Sequence, residues 1–170
     1  MRIIRLTPDY QFGSFDCGES DLNDFLLTDA KEYASRLLTV TYLIESNDEI
    51  AAFFSLSNDR ISLSESDKAT WRRIKYAFPH RKHRSDYPAV KIGRLGVDFR
   101  YKEQGLGSSI LGFVKKAFIT NNRTGCCFVT VDALPSVVNF YELNGFHLLR
   151  KSDRENTETV PMYYNLTRLI

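Results

Sequence analysis

Gly105-Leu106-Gly107-Ser108 is the stretch whose residue types and spacing carry the clearest chemistry. An apolar run ending near Val97 leads through a short charged segment to these glycines. Leu106, Ile110, Leu111, Phe113, Val114, Ala117 and Phe118 then recur at helical spacing on one face. Glycine lets backbone approach a ligand closely, and the first turn of a helix has N–H groups with no carbonyl before them. Those N–H groups and the helix dipole together favour a phosphate. The expected arrangement is strand, anion loop, helix. The full dinucleotide fingerprint is not met: Gly112 is present, but no acidic ribose binder follows on a strand of a clear βαβ unit. A Walker loop is absent as well, because no Gly-Lys-Ser/Thr follows. Taken alone, the glycine pair would equally suit a tight turn.

The second candidate is basic. Arg72, Arg73, Lys75, Arg81, Lys82 and Arg84, with His80 and His83, form the most basic part of the chain, and Trp71, Tyr76 and Tyr87 are interleaved with them. That mixture suits contact with a phosphate backbone plus base stacking. The alternative is a solvated helix and loop whose aromatics fill the core or a dimer interface. No cysteine or carboxylate nearby completes a ligand set with the two histidines, so no metal is expected.

The elements that must position these groups fit one mixed α/β domain over residues 1–170. Apolar residues make up 43% and charged residues 26%, as in an ordinary soluble globular chain, and a net charge of +2 leaves any acidic partner to local clusters. Cys17, Cys126 and Cys127 are odd in number with two adjacent, which favours a reduced, cytoplasmic setting over a disulfide framework. Met1 to Gly13 has no signal-peptide character, and no apolar run is long enough to span a membrane.

Met1 to Leu6 is predicted as an edge strand. Ser20 is placed to cap a helix whose apolar face is Phe25, Leu26, Ala30, Tyr33, Ala34 and Leu37. Thr39 to Glu45 and Ile50 to Ser57 form a hairpin about Ser46-Asn47-Asp48-Glu49. Ser64 to Asp67 starts a short helix carrying Trp71, Ile74 and Phe78, ended by Pro79. After a turn at Asn121 to Gly125, the expected elements are a strand Cys126 to Ala133, a helix Val137 to Leu143, and closing strands Phe146 to Arg150 and Met162 to Leu169. A polar loop, Lys151 to Thr159, separates the closing strands.

Leu95-Gly96-Val97 followed by Lys102-Glu103-Gln104-Gly105-Leu106-Gly107 resembles the acetyl-CoA site of the GNAT family of N-acetyltransferases, whose loop reads Gln/Arg-x-x-Gly-x-Gly/Ala. Lysine stands here where Gln or Arg is usual. Asn139-Phe140-Tyr141-Glu142-Leu143-Asn144-Gly145-Phe146 resembles the family's Asn-x-Tyr-x-x-x-Gly-Phe block downstream. Phe15, Cys17, Gly18, Leu22, Phe25, Leu26, Thr41 and Tyr42 are similar in order to the N-terminal half of acetyltransferases from toxin–antitoxin pairs.

The resemblance implies the GNAT fold: a mixed, mostly antiparallel sheet with a splayed central strand pair, flanked by helices. It implies that Lys102, Glu103, Gln104, Gly105, Leu106, Gly107 and Ser108 hold the pyrophosphate, though Lys102 is also read as a solvated loop charge. Backbone of Leu95, Gly96 and Val97 would hold the pantetheine arm, and the Val97 N–H would polarise the thioester. Tyr141 is implied as the general acid, since a tyrosine near pKa 10 can protonate a thiolate near 8.5, or else as an ordinary packed aromatic. Asn139 is a cofactor contact or a local helix cap.

Val90 to Val97 contains no acidic residue, and Asp98 just beyond could brace the loop instead of acting as a base. A site without a strong base is best served by an α-amine of pKa about 7.7–8.0, not a lysine near 10.4. Aminoacyl-tRNA offers such an amine, and Arg72, Arg73, Arg81, Lys82 and Arg84 would dock it. The alternatives are a small amine or a protein N-terminus as acceptor, or a non-catalytic CoA-binding module. An antitoxin partner and a homodimer are further expectations from the resemblance.

Overall fold

The computed structural model describes residues 1–78, 84–120, 124–155 and 158–170. The strands are β1 (Arg2–Arg5), β2 (Val40–Ser46), β3 (Glu49–Ser62), β4 (Asp86–Val97), β5 (Phe128–Ala133), β6 (His147–Leu148) and β7 (Val160–Asn165). They form one mixed, mostly antiparallel sheet in the order β1-β2-β3-β4-β5-β7-β6. The helices are α1 (Ser20–Asp24), α2 (Ala30–Ser35), α3 (Lys68–Tyr76), α4 (Leu106–Thr120) and α5 (Val138–Leu143). The chain divides into two compact units, Met1–Ser57 with Ile92–Phe113, and Asn58–Lys91 with Val114–Ile170.

In the first unit β1 pairs antiparallel with β2, Arg2 opposite Glu45, and β2 with β3, Ser46 opposite Glu49. The hairpin forms where expected, because Asn47 and Asp48 both adopt positive φ, 51° and 60°, as a two-residue type I′ turn requires. Phe25, Leu26 and Ala30 pack with Leu43, Ile50 and Phe53 on Phe15 and Cys17. Between α1 and α2 the chain passes through a π-helical turn, Phe25–Asp29. Ser20 is not the cap: Glu19 holds that position without a side-chain hydrogen bond, and Ser20 is already helical. Leu37 is also not on the packed face. It is 89% exposed at φ 58°, with its N–H bonded to the Ala34 carbonyl and the Leu38 N–H to Tyr33. That is a Schellman closure, with leucine in the left-handed place where glycine is usual.

In the second unit Ile61, Trp71, Ile74, Tyr87, Ala89, Phe128 and Tyr163 form the core, with Phe78 packed against it. Asp67 caps α3 by accepting from the Thr70 N–H at 2.7 Å. β5 pairs with β7, Phe128 opposite Asn165, and β6 with β7, His147 opposite Tyr163. β3 runs five residues beyond the expected Ser57, to Ser62. The closing strands are shorter than expected. Only His147–Leu148 pairs, and β7 stops at Asn165, whose side chain accepts from the Thr167 N–H at 2.9 Å and turns the chain into a 3-10 segment, Leu166–Leu169. β5 begins at Phe128 instead of Cys126. The expected loop over Lys151 to Thr159 opens with a 3-10 turn, Lys151–Glu155. Pro79 and most of the expected Asn121 to Gly125 turn lie outside the described residues.

Candidate active site

In the first unit the anion loop hangs between the end of β4 and the start of α4, and its approach is held by hydrogen bonds centred on a buried carboxylate. Asp98 is 3% exposed. Its carboxylate accepts from the Asp16 N–H (3.1 Å) and from the Arg100 N–H (3.0 Å), Nε (2.8 Å) and Nη2 (3.0 Å). Arg100 Nη1 also reaches Glu49 at 2.5 Å. Burial by itself would raise the Asp98 pKa, but the Arg100 guanidinium and these N–H donors hold it below the usual carboxylate range. Asp98 is therefore a brace, with its acceptor capacity filled. The Phe15–Gly18 turn is tied into the same network. The Phe99 N–H donates to the Asp16 carbonyl (2.9 Å), and the Asp16 side chain accepts from the Gly18 N–H (2.8 Å) and Asn23 Nδ2 (2.9 Å).

Beyond the brace, Gln104 Nε2 donates to the Arg100 carbonyl at 3.1 Å, and Glu103 and Gly105 take positive φ, 61° and 74°. The first intrahelical bond runs from the Ser109 N–H to the Gly105 carbonyl, 3.0 Å, so the Leu106 and Gly107 N–H groups lie at the open end of α4. A Cβ at Gly105 would meet nothing within 4 Å. Lys102 is exposed, with Nζ 4.1 Å from the centre of the Phe99 ring. Open space, helix-end donors and a nearby cation fit a pyrophosphate. Gly96 has a second role. A Cβ there would lie 2.7 Å from the Phe53 ring, so the glycine is demanded by packing under β4. Leu95 and Val97 are half-buried on either side of it.

In the second unit Tyr141 lies on α5, 7% exposed, with Phe140 and Phe146 edge-on to its ring at 5.1 and 5.3 Å. Burial pushes its phenol up to about 12, so the simple match between a phenol near 10 and a thiolate near 8.5 does not hold. Complete proton transfer would be uphill by roughly 5 kcal/mol. The hydroxyl is instead a firmly protonated hydrogen-bond donor. Asn139 is exposed in the first turn of α5. Sequence reasoning missed Lys115, whose Nζ donates to the Asn144 carbonyl at 2.6 Å and sits 3.9 Å from the Tyr164 ring centre. Its signal was its place beside Val114 and four residues after Leu111 on the apolar face of α4.

Arg72 and Arg73 are exposed on α3 and Arg84 is exposed before β4, while Arg81 and Lys82 lie outside the described residues. Two of the three interleaved aromatics are not available for base stacking. Trp71 and Tyr87 are 5% and 7% exposed in the core, whereas Tyr76 is 73% exposed. The described residues contain no group of three or more His, Cys, Asp or Glu that could hold a metal, and no helix among them is long and apolar enough to cross a membrane.

The family described as acetyltransferase (GNAT) domain matches residues 80–166. Among solved structures, a tyrosine-to-phenylalanine mutant of KacT is similar over 99% of this chain and 98% of its own, with TM-score 0.79 and 23% identity. AtaT complexed with acetyl-methionyl-tRNAfMet is similar over 99% and 96%, with TM-score 0.74 and 21% identity. AtaTR bound with AcCoA is similar over 99% and 95%, with TM-score 0.72 and 22% identity. The anion loop of β4 and α4, the sheet order and the match over residues 80–166 agree, and the chain belongs to the GNAT acetyltransferase family.

Proposed function

We propose that this chain, acting over residues 1–170 as one acetyltransferase domain, moves acetyl from acetyl-CoA to the α-amine of aminoacyl-tRNA. The observation that carries the reading is the likeness, over nearly the whole of both chains, to AtaT complexed with acetyl-methionyl-tRNAfMet. The filled coordination of Asp98 supports it, because a site with that carboxylate engaged suits an amine already partly neutral near pH 7.

In this reading acetyl-CoA supplies the activated thioester. The Leu106 and Gly107 N–H groups, Gly105 and Lys102 take the pyrophosphate, with Glu103, Gln104 and Ser108 shaping the loop. Leu95, Gly96 and Val97 offer backbone to the pantetheine arm, and the Val97 N–H donates to the thioester oxygen as negative charge grows there. The amine nitrogen attacks the carbonyl carbon, the carbon–sulfur bond breaks, and the Tyr141 hydroxyl donates a hydrogen bond to the departing thiolate, which takes its proton from solvent. The proton lost by the amine goes to solvent. Arg72, Arg73, Arg81, Lys82 and Arg84 dock the tRNA, and Asn139 is a rim contact. The setting is cytoplasmic. An antitoxin protein is a proposed partner, in keeping with the AtaT–AtaR complex bound to DNA among the similar structures, and a second copy of the chain is another.

Transfer of radiolabelled acetyl from acetyl-CoA, compared across charged tRNA, uncharged tRNA and a panel of free amines, tests the reading. Label on charged tRNA, lost in Tyr141→Phe, is expected. Label on small amines or a peptide N-terminus instead would replace the acceptor. Bound acetyl-CoA with no transfer to anything would leave a CoA-binding module.

A further inference from the structure

A cavity of about 290 Å³ opens in the second unit between α3, β6, β7 and the 3-10 segment after it, and none of the residues lining it is assigned to acetyl-CoA. Arg73, Tyr76, His147, Tyr163, Asn165 and Arg168 line it. Neither Arg73 nor Arg168 has a salt-bridge partner among the described residues. The two acids whose charge acts on His147 and Tyr163, Glu142 and Asp67, are engaged elsewhere. Both oxygens of Glu142 accept from Arg154, at 2.7 and 3.1 Å, and Asp67 takes the N–H groups of Thr70 and Lys151.

The neutral groups lining the cavity also present donors. Arg168 Nη1 is 2.9 Å from His147 Nε2. A guanidinium can only donate, so the ring accepts there as a neutral imidazole and carries its proton on Nδ1. Burial, then Arg168 and Arg73, hold the His147 pKa below its ordinary value against the opposing pull of Glu142. Asn165 Oδ1 is occupied by the N–H and hydroxyl of Thr167, leaving the amide NH2 as a donor. The Tyr163 hydroxyl is buried with no hydrogen bond of good geometry, and burial raises the phenol's pKa against the opposing pull of Arg73 and Arg168. A buried hydroxyl lacking an acceptor, beneath two guanidiniums without counter-ions, calls for a ligand rich in oxygen and negative charge.

The surroundings distinguish a polyanion from a lone carboxylate. α3 carries Lys68, Arg72, Arg73 and Lys75 with no acid between Lys68 and Tyr76, and the Tyr76 ring is 73% exposed at the rim. A cationic helix beside an exposed aromatic suits a strand with repeated phosphates and stacking bases. We propose that this cavity takes a backbone phosphate of the acceptor RNA, held by Arg73 and Arg168 and the Tyr163 hydroxyl, with a neighbouring base on Tyr76. The inference rests on the tRNA reading above and adds Arg168, which the chain supplies from its far end.

The test is binding of uncharged tRNA by fluorescence anisotropy over a salt series, which needs no turnover. It compares the wild type, an Arg73→Gln/Arg168→Gln double variant, Tyr76→Ala, and Lys116→Gln/Lys151→Gln as a charge-matched control. The arginine pair is expected to weaken binding about tenfold or more and to reduce the salt slope by about 1 per arginine, while the control binds as the wild type does. Tyr76→Ala is expected to weaken binding about fivefold or more. Equal affinity in the arginine pair and the control would overturn the proposal. So would a His147 ring resonance that responds to a peptide carboxylate but not to inorganic phosphate, which would assign the cavity to a protein terminus. If the wild type binds tRNA through this cavity yet transfers no acetyl to charged tRNA, the acceptor reading fails while the cavity assignment stands.

Discussion

In the first unit the Asp98 carboxylate receives four hydrogen bonds and Arg100 is shared between Asp98 and Glu49, whereas in the second unit Arg73 and Arg168 face a cavity with no carboxylate partner among the described residues. The first region spends its side chains on one another and offers backbone, the loop donors at the start of α4. The second offers side chains: the Tyr141 phenol, two guanidiniums and a buried hydroxyl. Polar groups saturated within the fold position a site, and those left unsaturated are the ones that meet a ligand. Side-chain changes in the first region should therefore be felt as stability, and in the second as activity or binding.

The largest expected effect is on the reactive side. Tyr141→Phe should lower the turnover of acetyl transfer by about 10²–10⁴-fold while acetyl-CoA affinity and the urea midpoint barely move, measured by steady-state kinetics and equilibrium unfolding. A fall in stability of comparable weight would make Tyr141 a packing residue and break the contrast. Next comes Asp98→Ala, which should cost about 3 kcal/mol of unfolding free energy, because Arg100 and the Asp16 N–H lose their acceptor. The pH dependence has a definite sign. The folded pKa of Asp98 lies below the unfolded one, so its stabilisation is complete above about pH 4 and drains as pH falls through the folded value. Asp98→Asn should accordingly flatten the acid limb of a stability–pH curve.

Gly105→Ala is expected to cost about 1–2 kcal/mol at φ 74°, and since a Cβ there meets nothing, a larger loss would reveal crowding in the loop. The smallest effect sharpens the contrast most. Arg73→Gln and Arg168→Gln should each change stability by less than about 0.5 kcal/mol in urea titrations, since both are exposed and have no ion pair among the described residues to lose.

Much of this was legible in the order of residues. The glycine pair, the periodicity after it and the Asn47-Asp48 turn are local signals, and local geometry answered them. The brace was not legible. Asp16 and Asp98 lie 82 positions apart, and neither stands out in its own neighbourhood. Trp71 and Tyr87 were ambiguous for a related reason: aromatics interleaved with cations read equally as stacking platforms or as core, and only the packing of Phe128 and Tyr163 decides it. The cavity joins Arg73 to Arg168 through strand pairing that no motif records. Tyr141 is buried with Phe140 and Phe146 edge-on to its ring, and these were visible as neighbours but not as a wall.

The contact between Gly96 and Phe53 ties two positions together in descent. The Phe53 ring is held by Phe15 at 5.4 Å and Phe25 at 6.2 Å, so it has little freedom to retreat from a methyl at position 96. A lineage that enlarges position 96 first meets a clash, and one that shrinks Phe53 first passes through a cavity before any compensation arrives. Each order of change crosses a less stable intermediate, and a mutational library that varies either position alone will score both as immutable when they are jointly replaceable.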